Sequence, residues 1–221
     1  MTNKLSYYDI MGVVVPGILL VCWLGVCFPG LASLVWSPDF SEAFAFVGAV
    51  ALAVFVGQIM QAIGSLIEPF LYWTWGGKPT ERAFKKGLGR YMSLQTTQRI
   101  RAKLVKSVGE DATNNDLFMR AMQLSDAAEV GRASRFNALY CYQRSLVTLL
   151  AASIIVAVLS LGPGALEHWP IWAIGLLLLA LVSLLILVWH RAKQRGNYYV
   201  REVLYTAENE LEKRNVERRT Y

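Results

Sequence analysis

The chain has 221 residues, 55% of them hydrophobic and 17% charged, with a net charge of +6 and a mean hydropathy of +0.37. An average soluble domain carries about a quarter charged residues, so this deficit argues against an ordinary water-soluble domain and makes lipid part of the solvent. Three cysteines, Cys22, Cys27 and Cys141, supply neither a disulfide framework nor a Cys/His metal spacing.

No Asp, Glu, Lys or Arg occurs in residues 10–38, 43–67, 145–166 or 168–190. A spanning helix needs roughly 20 mostly apolar residues. The sequence therefore predicts an all-α membrane protein with four spans, at about 10–34, 43–67, 145–162 and 169–189. The first window is too long for the core of a cleaved leader, and another span follows it almost at once. Pro16-Gly17 predicts a kink in this span, because proline removes a backbone donor. Pro29-Gly30 marks its outer end, and Ser37-Pro38-Asp39 the turn beyond.

The second span is unequal. Ala43 to Val56 is apolar, whereas Gln58, Gln61, Ser65 and Glu68 follow at i, i+3, i+7 and i+10 on one helical face. Gly57 and Gly64 flank that face and predict close approach of another helix. Trp75-Gly76-Gly77-Lys78-Pro79-Thr80 ends the span, with Thr80 as the expected cap of the next helix.

Residues 76–144 read as a basic helical region. Arg82, Lys85, Lys86, Arg90, Arg99, Arg101, Lys103 and Lys106 come with no acidic residue between the first and the last. A polar turn is expected at 109–116. A second helix starts from Leu117, carries Met119, Met122 and Leu124, and runs through Phe136, Leu139 and Tyr140 into span three. Gly162-Pro163-Gly164 closes that span, and span four runs from Trp169 to Trp189. In the tail, 191–221, Val200, Leu204, Ala207 and Leu211 recur on one side, which predicts packing on the 76–144 helices as a small bundle.

The 22 basic residues divide as one before span one, thirteen in 76–144 and eight from Arg191 onward. None falls in the two short connections, which carry Asp39, Glu42 and Glu167. By the positive-inside rule both termini and the large loop face the cytoplasm, giving two transmembrane hairpins, 1–75 and 145–190, around a cytoplasmic region. Trp36, Trp169 and Trp172 then stand at the outer boundary. Tyr7, Tyr8, Tyr72, Trp73, Trp75, Tyr140, Tyr142 and Trp189 stand at the inner one as headgroup anchors.

Polar groups at membrane depth face a bundle interior or water. Gln58, Gln61, Ser65 and Glu68, with Gly57 and Gly64, are thus candidates for a helix interface first and a pore lining second. The basic run from Arg82 to Lys106 is the candidate site for a cytosolic partner or an anion, set against the simpler reading of contact with anionic lipid. It carries no phosphate-binding glycine loop, for Gly87-Leu88-Gly89 lacks the dinucleotide pattern. Tyr198, Tyr199 and Arg201 read as interface anchors rather than a nucleic-acid platform. His168 and His190 fall at opposite ends of span four, so no catalytic constellation forms. No enzyme, cofactor or metal is expected.

Tyr8-Asp9-Ile10-Met11-Gly12 with Pro16-Gly17, Gly57-Gln58-x-x-Gln61-Ala62-Ile63-Gly64 with Glu68, and Gly76-Gly77-x-Pro79-Thr80 resemble patches shared by a set of uncharacterised bacterial multi-pass proteins. Arg135-Phe136-Asn137-Ala138-Leu139-Tyr140 with Arg144, and Tyr198-Tyr199-x-Arg201-Glu202-Val203, are similar to two more. From Arg135 to about Lys213 the layout also resembles SLATT-type modules, membrane effectors of bacterial immunity, and the four-span plan is similar to that of the membrane subunit of the Kiwa antiphage system. The resemblance implies a homo-oligomeric inner-membrane component of phage defence that perturbs the membrane or couples to a cytosolic partner. An anchor recruiting a cytosolic effector and a small-solute transporter are the alternatives.

Overall fold

The computed structural model describes residues 7–30, 42–128, 132–161 and 165–220. Expectations placed on Trp36, on the turn at 37–39 and on Gly162-Pro163-Gly164 lie outside them, as do the side chains of Tyr7, Tyr8 and Glu42. Among the described residues the chain is all-α: α1 Tyr7–Cys27, α2 Glu42–Leu66, α3 Glu68–Thr74, α4 Pro79–Lys86, α5 Leu94–Val108, α6 Asn114–Ala127, α7 Arg132–Leu159 and α8 Ile171–Thr220. Short 3-10 turns occur at Gly89–Tyr91 and Ala165–His168.

Among the described residues three stretches are long and apolar enough to cross a membrane, not four: Ala45–Leu66, Arg132–Leu159 and Ile171–Glu217. The apolar stretch of α1, Gly12–Cys27, covers only about 24 Å at 1.5 Å per residue, short of a hydrocarbon core near 30 Å. Two helices outrun their apolar segments. The charge-free run from 145 is the latter part of α7, and the apolar run that opens α8 continues as helix without a break to Thr220.

The chain divides into two compact units, residues 1–68 with 141–192 and residues 69–140 with 193–221. In the first, α1 and α2 meet backbone to backbone. A Cβ on Gly17 would stand 1.7 Å from the Ala53 carbonyl oxygen, and one on Gly57 2.0 Å from that of Val13. Side chains there would force the helices apart, so glycine sets their spacing. α1 continues through Pro16, which is fully buried. Leu20, Met60 and Leu149 form one buried cluster, and Cys27, Ala157 and Leu166 another. Trp23 bridges toward α7, its indole N–H donating to the Ser153 carbonyl at 3.1 Å. Outside these clusters the unit is apolar to its surface: Phe46, Phe55, Leu66, Leu179 and Leu187 are all more than 60% exposed. Such a surface suits lipid or other protein, not water.

The second unit buries its apolar residues conventionally. Ala83, Phe84, Leu88, Ile100, Leu104, Leu117, Phe118, Leu124, Val200, Val203, Leu204 and Ala207 share one core, with Leu211 packed against it. The tail stripe is therefore a packing face. Several local expectations change. α2 breaks at Ile67 because Pro69 has no N–H to continue the ladder. α3 closes through Gly76 and Gly77, both at positive φ, with Gly77 N–H bonding the Tyr72 carbonyl at 2.8 Å. Thr80 does not cap α4; Lys78 holds that position and Pro79 opens the helix, its fixed φ suiting the first turn. α6 starts at Asn114, ahead of Leu117, because Thr113 and Asp116 form a reciprocal capping box. On α6 it is Leu117, Phe118, Ala121 and Leu124 that turn inward, while Met119 is exposed.

Candidate functional site

On α2 the polar stripe splits. Gln58 is exposed, between exposed Phe55 and Ile59. Gln61 is half-buried and its amide nitrogen lies against Gly12 of α1. Ser65 and Glu68 meet α7, where one residue organises them. Arg144 Nη1 stands 3.1 Å from Glu68 Oε2, with the two side chains only 12% and 23% exposed. Its Nη2 donates to Ser65 Oγ at 3.0 Å, and that hydroxyl donates to the Gln61 carbonyl at 3.1 Å. Gly64 makes room for the approach: a Cβ there would lie 3.1 Å from Thr148 Oγ1 and 3.5 Å from Arg144 Cγ. Charge and hydroxyl are thus matched within one chain, which costs less than presenting an unpaired carboxylate to an apolar medium.

The basic run divides the same way. Arg99 forks onto Glu208, Nε to Oε1 and Nη2 to Oε2, both at 3.0 Å. Lys103 Nζ reaches Glu208 Oε1 and Glu212 Oε1, each at 2.6 Å. Burial pushes the Glu208 carboxyl up, but the hydrogen bonds and charges of Lys103 and Arg99 outweigh it and hold the group below the usual range. The Lys103 ammonium is correspondingly raised, first by its bond to Glu208 and then by Glu212. Arg82 donates to the Trp75 carbonyl at 2.7 Å and to Asn197 Oδ1 at 3.4 Å, tying α4 to the preceding turn and to α8. Arg90 lies 2.9 Å from the Tyr91 hydroxyl and over its ring. Lys85 faces Glu81 at 3.7 Å on the helix surface. Lys86, Arg101 and Lys106 are exposed, and among the described residues no carboxylate pairs with them.

Comparison with known proteins identifies no relative. No family model, curated protein or solved structure matches the chain.

Two residues that organise these sites were missed in the sequence. Arg144 counts there as one more topological cation, although it is the last charge before an apolar run and sits in a helix that enters that run. Glu208 falls on the packing stripe of Leu204, Ala207 and Leu211, and a carboxylate on such a stripe signals a buried ion pair. Two residues of the expected inner aromatic belt pack inside the protein instead, while Trp73 of the same set is 75% exposed. Trp75 and Tyr140 are 3% and 6% exposed, stacked edge to face at 6.2 Å, with Gly196 of α8 packed against both rings. The Tyr140 hydroxyl meets that of Tyr72 at 3.2 Å. Trp75 and Tyr140 thus fill a protein interior rather than a headgroup layer. Tyr198 likewise packs within the second unit, stacked on Phe136 at 5.6 Å, edge-on to Tyr91 and under Arg201. No group of three His, Cys, Asp or Glu side chains able to hold a metal occurs among the described residues.

Proposed function

We propose that this chain is a non-enzymatic, four-span inner-membrane component whose basic helical unit receives a cytosolic protein. The division into one unit with an apolar surface and another with its own closed core carries this reading. A fourth span fits α1, since its 21 helical residues extend about 31 Å. The distribution of Lys and Arg supports cytoplasmic termini and loop. The resemblance to defence-associated membrane proteins suggests a setting in which such a partner acts against phage.

Recruitment is tested at cations that the fold does not use. Arg99 and Lys103 are unsuitable targets, because reversing them unbalances Glu208. Lys86→Glu with Arg101→Glu should leave the protein folded and remove a partner that co-purifies from native cells. Retention of that partner by the folded double variant sinks the reading.

A second reading, self-association with a membrane leak, is favoured by Gln58 alone. An amide exposed among Phe55 and Ile59 gains from a partner helix in lipid. Gln58→Leu should then reduce both the oligomer seen in neutral detergent and ion flux through liposomes. Background flux in the unaltered protein removes the leak.

A further inference from the structure

A cavity of about 500 Å3 opens between α5, α6 and the end of α8, and its wall includes Lys103, Lys106, Ser107, Arg120, Arg214 and Asn215. Four of these six side chains are cationic. No carboxylate lines the space, although Glu208, Glu210 and Glu212 stand on the same stretch of α8. Two of the cations are already balanced: Lys103 by Glu208 and Glu212, and Arg214 by Glu210 at 3.3 Å. The other two are not. Among the described residues Lys106 has no carboxylate partner, and Arg120 makes one side-chain bond, from Nη1 to the neutral Gln123 amide oxygen at 3.3 Å. Arg120 Nε is shielded from solvent with no acceptor, which is costly for a charged donor.

We propose that this cavity binds a phosphate-bearing anion. A guanidinium offers a planar fork that matches phosphate oxygens, and a lysine adds a mobile point charge. Together Arg120 and Lys106 fit a group carrying two negative charges, with the Ser107 hydroxyl and the Asn215 amide available as neutral donors. The volume suits a small ligand and exceeds what one inorganic phosphate fills, so a pyrophosphate or nucleotide-sized molecule fits better. The same chemistry could come from a soluble phosphorylated metabolite or from a lipid headgroup. The site makes no use of Lys86 or Arg101 and is independent of the partner proposed above.

The test uses the full chain in neutral detergent, titrated calorimetrically with inorganic phosphate, pyrophosphate and ATP. A parallel arm places the protein in nanodiscs of phosphatidylcholine alone or with phosphatidylglycerol or cardiolipin, and reads its thermal midpoint. Binding of pyrophosphate or ATP should weaken as NaCl rises from 50 to 300 mM. It should fall about tenfold or more in Arg120→Gln and Lys106→Gln, in line with loss of a charge-assisted bond, and stay unchanged in Arg101→Gln. Stabilisation by anionic lipid that is lost in Arg120→Gln, with no soluble ligand bound, assigns the site to a headgroup. Unchanged circular dichroism and midpoint in the unliganded variants separate loss of the site from loss of the fold, and Lys106, being exposed, is the variant that keeps the test open if Arg120→Gln unfolds. Absence of saturable binding in both arms overturns the proposal, as does equal weakening by Arg101→Gln.

Discussion

Arg144 on α7 and Glu68 at the start of α3 form a largely buried ion pair, 3.1 Å between Nη1 and Oε2, within the unit that carries the apolar surface. Ser65 completes the arginine's environment, so the C-terminal end of α2 is held by matched charge where its crossing with α1 at Ala53 and Gly57 is held by close backbone contact.

That pairing predicts non-additive mutants. Arg144→Met should destabilise by about 1–3 kcal/mol, because Glu68, largely covered, loses the guanidinium. Glu68→Gln should cost less, since its amide can still accept from the guanidinium. The double variant Arg144→Met, Glu68→Leu should recover part of the loss. Thermal unfolding of the detergent-purified proteins measures the cycle, and strict additivity contradicts the coupling.

The glycine crossing makes a sharper claim. Gly17→Ala and Gly57→Ala each put a methyl within 2.0 Å of a backbone oxygen on the facing helix, which no side-chain rotation relieves. Each should lower the yield of folded protein and drop its stability by about 1–3 kcal/mol or more. Gly48 and Gly175 have nothing within 4 Å of such a methyl. Alanine there should be neutral or stabilising by up to about 1 kcal/mol. Thermal midpoints of the four variants decide it.

Acid and base should loosen the second unit at predictable limits. The Glu208 carboxyl is lowered in the folded state, so its contribution is complete above the ordinary glutamate value, about 4.3, and is lost as pH falls through the lower folded value. Lys103 is raised, so its contribution is complete below about 10.4 and is lost as pH rises through the folded value. Glu208→Gln should lower the midpoint by about 4–8 °C at pH 7. The gap to the unaltered protein should narrow below pH 4. A gap that persists in acid means the pair is not the cause.

Packing at Gly196 gives a fourth case. A methyl there would touch Trp75 and Tyr140 at 3.5 and 3.6 Å, ordinary contact distances. Gly196→Ala should therefore be tolerated, while Gly196→Leu should displace both rings. Trp75→Ala should cost about 3–5 kcal/mol. Tryptophan fluorescence and the thermal midpoint report both effects.

The sequence by itself determined the helical class, the apolar windows and the segregation of basic residues. Charge-free runs of helix-spanning length have one inexpensive solution in lipid, and periodicity at 200, 204 and 207 has one inexpensive use, burial. It also marked Gly57 and Gly64 as places where another helix draws near, although not which helices. Only the tertiary structure decided what each charged residue does. Arg99 and Arg101 are indistinguishable in the sequence, and both are exposed, yet one forks onto Glu208 while no carboxylate among the described residues pairs with the other. Gln58 and Gln61 share a face by spacing, but neighbouring helices cover one and leave the other bare. Local pattern sets which face of a helix is apolar, whereas the carboxylate paired with a given cation lies up to 109 residues away and is fixed only when the cores close and desolvation selects the pairs.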